Sequence, residues 1–216
     1  MKAVILAGGL GTRMREETEF RPKPMVEVGG KPVLWHIMKI FASQGVTDFV
    51  ILTGYKGEMI KRFFFDYSML NLDYTVDVGD RSSVEFFRSH EEDGWKMTVL
   101  DTGETSLTGE RLLRARNHLG DEPFYLTYGD GIANVNLAEL LRTHRATGAT
   151  LTISISKPLS RFGVESVGEG GLVDRFLEKP EGQEIVNIGY MVANNSLFEY
   201  LEVGGSREDR PLVNLA

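Results

Sequence analysis

The 216-residue chain contains no cysteine, and that absence removes disulfides, thiolate zinc sites and cysteine nucleophiles together. Histidine is scarce. The four present, His36, His90, His118 and His144, stand far apart with no i,i+4 pair, so the sequence does not suggest an imidazole-built metal site. No stretch approaches the ~18–20 apolar residues of a membrane span, and the N-terminal apolar run stops after "AVILA" at a glycine turn, unlike a secretory leader. These absences lead to the expectation of a cytoplasmic protein with no membrane partner. Repeats, low-complexity tracts and Pro/Ser-rich linkers are also missing, which leaves one domain over residues 1–216. Charge is not segregated: 24 Lys+Arg against 31 Asp+Glu give a net −7 without a basic arm, so nucleic acid is not an expected partner. An anionic ligand would meet an opposing overall field. Its attraction has to come from a few locally placed basic groups.

What the chain does contain is an alternation of short apolar runs and helical patterns. "AVILA" (3–7), "FVILT" (49–53), "MTVLDT" (97–102), "FYLTY" (124–128) and "ATLTISIS" (149–156) read as strands. Between them, Pro32–Ser43 spaces Leu34, Ile37, Met38 and Phe41 along one helix face, and "YKGEMIKRFFFDY" reads as a second helix. Glu110–Leu119 reads as a third, with Leu112, Ala115, Arg116 and Leu119 on one side, and Leu137, Leu140, Leu141 and His144 mark a fourth. Residues 69–95 read as strands or a long excursion. Strands that are apolar throughout indicate an α/β fold, a Rossmann-like, mostly parallel central sheet with helices on both faces. "FGVESV", "GEGG" and "LVDRFLEKP" read as a hairpin, with "VNIGYMVAN" a further strand, so an antiparallel addition is expected near 163–193. Ligands of such sheets bind outside the carboxyl ends of the strands.

Several motifs fall there. "LAGGLGTR" (6–13) follows the first strand; its glycines allow close backbone approach and an anion-binding concavity of amides. It is not the dinucleotide fingerprint, because Met14 stands where a third glycine is needed, and no G-x-x-x-x-G-K-[ST] occurs. A phosphate cradle and a structural turn both remain open. "RPKPM" (21–25) mounts Lys23 between prolines, either as a stiffly held ammonium or as a solvated loop lysine. In "YGDG" (128–131), Asp130 projects at a strand end among glycines, which suits Mg²⁺ but also a plain Asp-Gly turn. "DTGETSLTGERL" (101–112) is either a loop of small polar groups and amides for a nucleotide, or a Thr108 cap followed by a surface Arg111.

Taken in order, "LAGGLGTR", "RPKPMVEVGGKPVLWHIM", "GYKGEMIK", "VLDTGETSLTGERL", "YGDG" and "EKP" resemble the sugar-phosphate nucleotidyltransferases over the whole chain. "DTG" with "TGxR", and "YGDG", point to their cytidylyl branch, whose members join CTP to glucose 1-phosphate for bacterial surface polysaccharides such as O-antigen. The resemblance implies that Leu6, Ala7, Gly8, Gly9, Leu10, Gly11, Thr12 and Arg13 hold the nucleotide. It implies that Arg13 and Lys23 act on the reacting phosphates, that Thr102, Gly103, Ser106, Arg111 and Gly129 contact the nucleotide, and that Asp130 binds Mg²⁺. Glu178, Lys179 and Asn187 are implied for the sugar phosphate, and a homo-oligomer for the assembly, with 69–95 a contact region. It further implies a C-terminal segment, rich in Trp and carrying a second metal-binding aspartate, that these residues do not include. Another nucleotide (UTP or dTTP), another sugar phosphate, or a nucleotide-binding protein with little activity are the alternatives left open.

Overall fold

Five consecutive buried residues, Ala3–Ala7, belong at the centre of a sheet covered on both faces. The structure, a computed structural model, describes residues 1–9, 20–158, 164–167, 173–177 and 185–201. In chain order its elements are β1 (Ala3–Ala7), β2 (Glu27–Val28), β3 (Lys31–Pro32), α1 (Val33–Ala42), β4 (Asp48–Thr53), α2 (Gly57–Phe65) and α3 (Tyr67–Asn71). There follow β5 (Tyr74–Asp77), β6 (Asp80–Phe86), β7 (Lys96–Asp101), α4 (Thr108–Ala115), β8 (Phe124–Tyr128) and α5 (Leu137–Thr147). The last are β9 (Leu151–Ser156), β10 (Val164–Val167), β11 (Val173–Leu177) and β12 (Val186–Ala193).

The central sheet has the order β7-β4-β1-β8-β12-β9. Its first four strands are parallel, while β12 runs antiparallel to both β8 and β9. Register aligns the carboxyl ends: Ala7 pairs with Thr53, Thr53 with Asp101, and Leu6 with Tyr128. The residues that follow these strands therefore emerge along one edge. The expected Rossmann-like architecture and its antiparallel addition are both present, the latter as the β10–β11 hairpin and β12.

Side-chain alternation along β1 divides the core in two. Ala3, Ile5 and Ala7 point to the face covered by Leu34, Ile37 and Phe41 of α1, Ile60 of α2 and Leu137 of α5. Val4 and Leu6 point to the other, under Leu112 and Ala115 of α4 and Phe198. The spacing in α1 is the one the sequence predicts; each of its four buried side chains contributes roughly 1.5–3 kcal/mol. Good end signals bound α5: the Asn136 side chain accepts from Glu139 N at 3.0 Å, and Gly148 closes the helix at φ +64.

One expectation changes and another is sharpened. The helix expected over 110–119 is α4 followed by a 3-10 turn at Arg116–His118. Arg116 is not on the buried side; it is exposed, with its guanidinium carbon 5.4 Å from the Phe198 ring centre. Residues 69–95 hold the end of α3 and a β5–β6 hairpin whose strands, among the described residues, pair only with each other. The segment is fastened to α1 by Trp35 Nε1, which donates to Tyr67 Oη at 3.0 Å and Glu92 Oε1 at 3.2 Å.

Candidate active site

The loop after β7 is held by charge from below. Thr102 N and Oγ1 both donate to Thr53 O, at 2.9 and 2.6 Å, stitching the ends of β4 and β7. Beneath them lies Arg111 of α4, only 5% exposed. Its Nη1 donates to Thr53 O at 3.0 Å, Thr102 Oγ1 at 2.8 Å and Gly103 O at 2.6 Å. Its Nη2 donates to Gly8 O at 2.8 Å and Glu104 O at 3.2 Å. One planar fork thus ties the loops after β1, β4 and β7. The reading of Thr108 as a cap with a surface arginine behind it does not hold: no side chain caps α4, and Arg111 is buried. In this arrangement Arg111 donates to four loop carbonyls and to the Thr102 hydroxyl.

Glycine is required where these loops touch. A Cβ on Gly54 would lie 2.7 Å from Gly103 O and 2.8 Å from Gly8 O, and a Cβ on Gly8 would overlap the Arg111 guanidinium. Gly9, by contrast, is exposed and a Cβ there would meet nothing within 4 Å. Leu6 and Ala7 bury their side chains in the core and bring only backbone to the edge. Ser106 is half-buried above Gly103, which at φ +88 would place a Cβ 2.9 Å from the Ser106 hydroxyl.

A second group assembles across β1. Pro22 to Val26 turn tightly, with Met25 N donating to Pro22 O at 2.8 Å, and this short 3-10 turn carries Lys23. Pro24 leans on Gly129: a Cβ there would stand 3.0 Å from Pro24 Cγ and 3.2 Å from Leu6 O, and Gly129 N donates to Leu6 O at 2.9 Å. The result brings Lys23 Nζ to 3.5 Å from Asp130 Oδ2. Asn187 opens β12 just past the end of β8, with its Oδ1 accepting from Gly189 N at 2.8 Å. Leu10, Gly11, Thr12, Arg13, Glu178 and Lys179 lie outside the described residues.

The arrangement concentrates Lys23, Arg111 and the adjoining Arg114 along one edge of a net-negative chain, the local attraction that an anionic ligand there needs. Among the described residues no three His, Cys, Asp or Glu side chains cluster as a metal site. Asp130 offers a carboxylate at this edge, half exposed and flanked by glycines. That donor set fits a hard cation such as Mg²⁺, which takes one or two carboxylates and completes its shell with phosphate oxygens and water. Sequence reasoning overlooked Gly54, Pro24 and Arg114. The glycine immediately after a buried strand in "TGYKG" was a legible signal for the first; the other two act by packing and hydrogen bonding that spacing does not reveal.

Comparison with known proteins agrees with this geometry. The family model described as Nucleotidyl transferase matches residues 2–212. The chain is 46% identical over 218 residues to a probable glucose-1-phosphate cytidylyltransferase of Bacillus subtilis, covering 100% of this chain and 84% of that one. Similarity to the glucose-1-phosphate cytidylyltransferase of Salmonella typhi is 42% over 219 residues with the same coverage. Among solved structures, HddC from Yersinia pseudotuberculosis superposes with a TM-score of 0.63 at 23% identity, covering 92% of this chain and 78% of that one, which supports the fold. No helix among the described residues is long and apolar enough to cross a membrane. With a family match over nearly its whole length and relatives above 40% identity, the chain belongs to the nucleotidyl transferase family.

Proposed function

We propose that the chain transfers the cytidylyl group of CTP to glucose 1-phosphate, giving CDP-glucose and pyrophosphate. The full-length similarity to two glucose-1-phosphate cytidylyltransferases carries this reading. The loops at the sheet's carboxyl edge supply a place for the chemistry. A phosphate oxygen of the sugar phosphate attacks the α-phosphorus in line; the new P–O bond forms as the bond to the β-phosphate bridge breaks, and pyrophosphate takes that electron pair away. The nucleophile is already an anion at neutral pH, so no general base is needed. The protein's work is to align two polyanions and neutralise their charge.

In this reading the 6–13 loop, with Thr102, Gly103, Ser106 and Gly129, surrounds the nucleotide, and Arg111 holds those loops in register. Lys23, on its stiff proline mount, and Arg13 stabilise charge at the transferring phosphate, while Glu178, Lys179 and Asn187 face the sugar phosphate. Asp130 would hold Mg²⁺, which supplies charge neutralisation to the triphosphate. The test is pyrophosphate release with glucose 1-phosphate, Mg²⁺ and each of four nucleoside triphosphates in turn. CTP should be turned over fastest; absence of pyrophosphate with all four overturns the assignment.

A further inference from the structure

Arg114, three residues after Arg111 on α4, grips the same loop from its solvent side. Its Nη1 donates to the Thr102 carbonyl, and its Nη2 to Glu110 Oε1 at 2.6 Å, an i,i+4 pair that aims the fork. The loop is shaped to receive it: Gly103, at φ +88, would place a Cβ 2.6 Å from Arg114 Nη1, so any other residue would push the guanidinium away. Between them the two arginines leave the Thr102–Gly103 stretch little freedom. Thr102 N and Oγ1 are spent on Thr53 O, Thr102 O on Arg114, Gly103 O on Arg111, and Gly103 N donates to Asp101 Oδ1 at 3.0 Å. Arg111 is buried and serves three loops, whereas Arg114 is half exposed and, among the described residues, bonds only to this loop and to its own helix.

We propose that Arg114 is a positioning residue for nucleotide binding. Without touching the substrate, it fixes the Thr102–Gly103 peptide so that Gly103 and Ser106 meet the nucleotide in their bound geometry, sparing the ordering cost at the moment of binding. The inference rests on the reading that the nucleotide occupies this edge.

Arg114→Met keeps the length of the side chain and removes every donor. It should raise the KM and the calorimetric Kd for CTP roughly tenfold, as expected for loss of a charge-assisted hydrogen bond, with kcat and the KM for glucose 1-phosphate within about twofold of wild type. Arg114→Lys, which can still donate to the Thr102 carbonyl, should restore most of the affinity. Glu110→Gln should cost only about twofold, as i,i+4 helix pairs do. Arg142→Met, which removes a more exposed ion pair to Glu139 on α5, serves as the control and should leave CTP binding unchanged. Unchanged CTP affinity in Arg114→Met overturns the proposal. So does an equal rise in both KM values that tracks a fall in Tm and is not rescued by lysine, because that pattern is general destabilisation. A wild-type chain that binds none of the four nucleoside triphosphates removes the site reading itself, and is told apart by the wild-type titration alone.

Discussion

On one side of β1, the Arg111 guanidinium fills the space between Gly8, Thr53, Thr102, Gly103 and Glu104 with five donated bonds. On the other, Lys23 and Asp130 face each other at 3.5 Å, their side chains 23% and 47% exposed. The first half is tied together without a ligand, its guanidinium bonded to four carbonyls and the Thr102 hydroxyl. The second keeps a cation and an anion near solvent, paired loosely enough to exchange partners. Such a partly exposed pair adds at most about 1 kcal/mol to stability. Charge in the first half therefore serves structure, and charge in the second is available for chemistry.

Arg111→Met tests the first half most severely. It leaves the Gly8 and Gly103 carbonyls without the donor that now satisfies them, at a cost of about 3 kcal/mol or more. In a chain of this size that should lower Tm by roughly 6–12 °C, measured by calorimetry. A Tm within 2 °C of wild type, by the same estimate, would mean that the loops do not depend on the fork. Lys23→Ala is the converse. It should reduce turnover by roughly 10²–10³, the usual consequence of deleting one preorganised charge-stabilising donor, while Tm hardly moves. If Lys23→Ala instead unfolds the protein and spares kcat, the division between the halves is wrong.

The same division explains what the sequence revealed. The sheet was legible because β1, β4 and β8 are buried on both faces and so read as unbroken apolar runs, and α1 because Leu34, Ile37, Met38 and Phe41 keep helical spacing. Lys23 and Asp130 each had two readings in sequence, and it is the fold that brings their side chains to 3.5 Å of each other. Arg111 was ambiguous in sequence. An arginine in the second turn of a helix usually reaches solvent, and only the fold shows that Gly8 and Gly54 open a slot for it. Arg116 failed for the opposite reason: α4 ends at Ala115, so its phase does not carry on to the next residue. The β5–β6 hairpin gave little signal because it lies off the sheet and exposes residues such as Tyr74 and Val78 that no core pattern constrains.

A single methyl group placed on each side offers the finest contrast. In Gly8→Ala the new Cβ overlaps a guanidinium that five acceptors hold in place, so either the fork or the β1 loop must move. We expect a loss of about 1–3 kcal/mol, the range for overpacking a close-packed site, together with weaker CTP binding. In Gly129→Ala the Cβ meets Pro24 Cγ at 3.0 Å, Leu6 O at 3.2 Å and the Ala7 Cα at 3.3 Å. Those contacts ask for a few tenths of an ångström, less than the overlap at Gly8, although Pro24 is itself buried in its short turn. The expected stability loss is therefore the smaller of the two, about 1 kcal/mol, and any shift of Pro24 carries Lys23 with it and should show in kcat. Paired thermal melts and steady-state kinetics on the two variants decide the matter: if Gly129→Ala lost more Tm than Gly8→Ala, the rigid half of the site would lie on the side of Lys23 and Asp130.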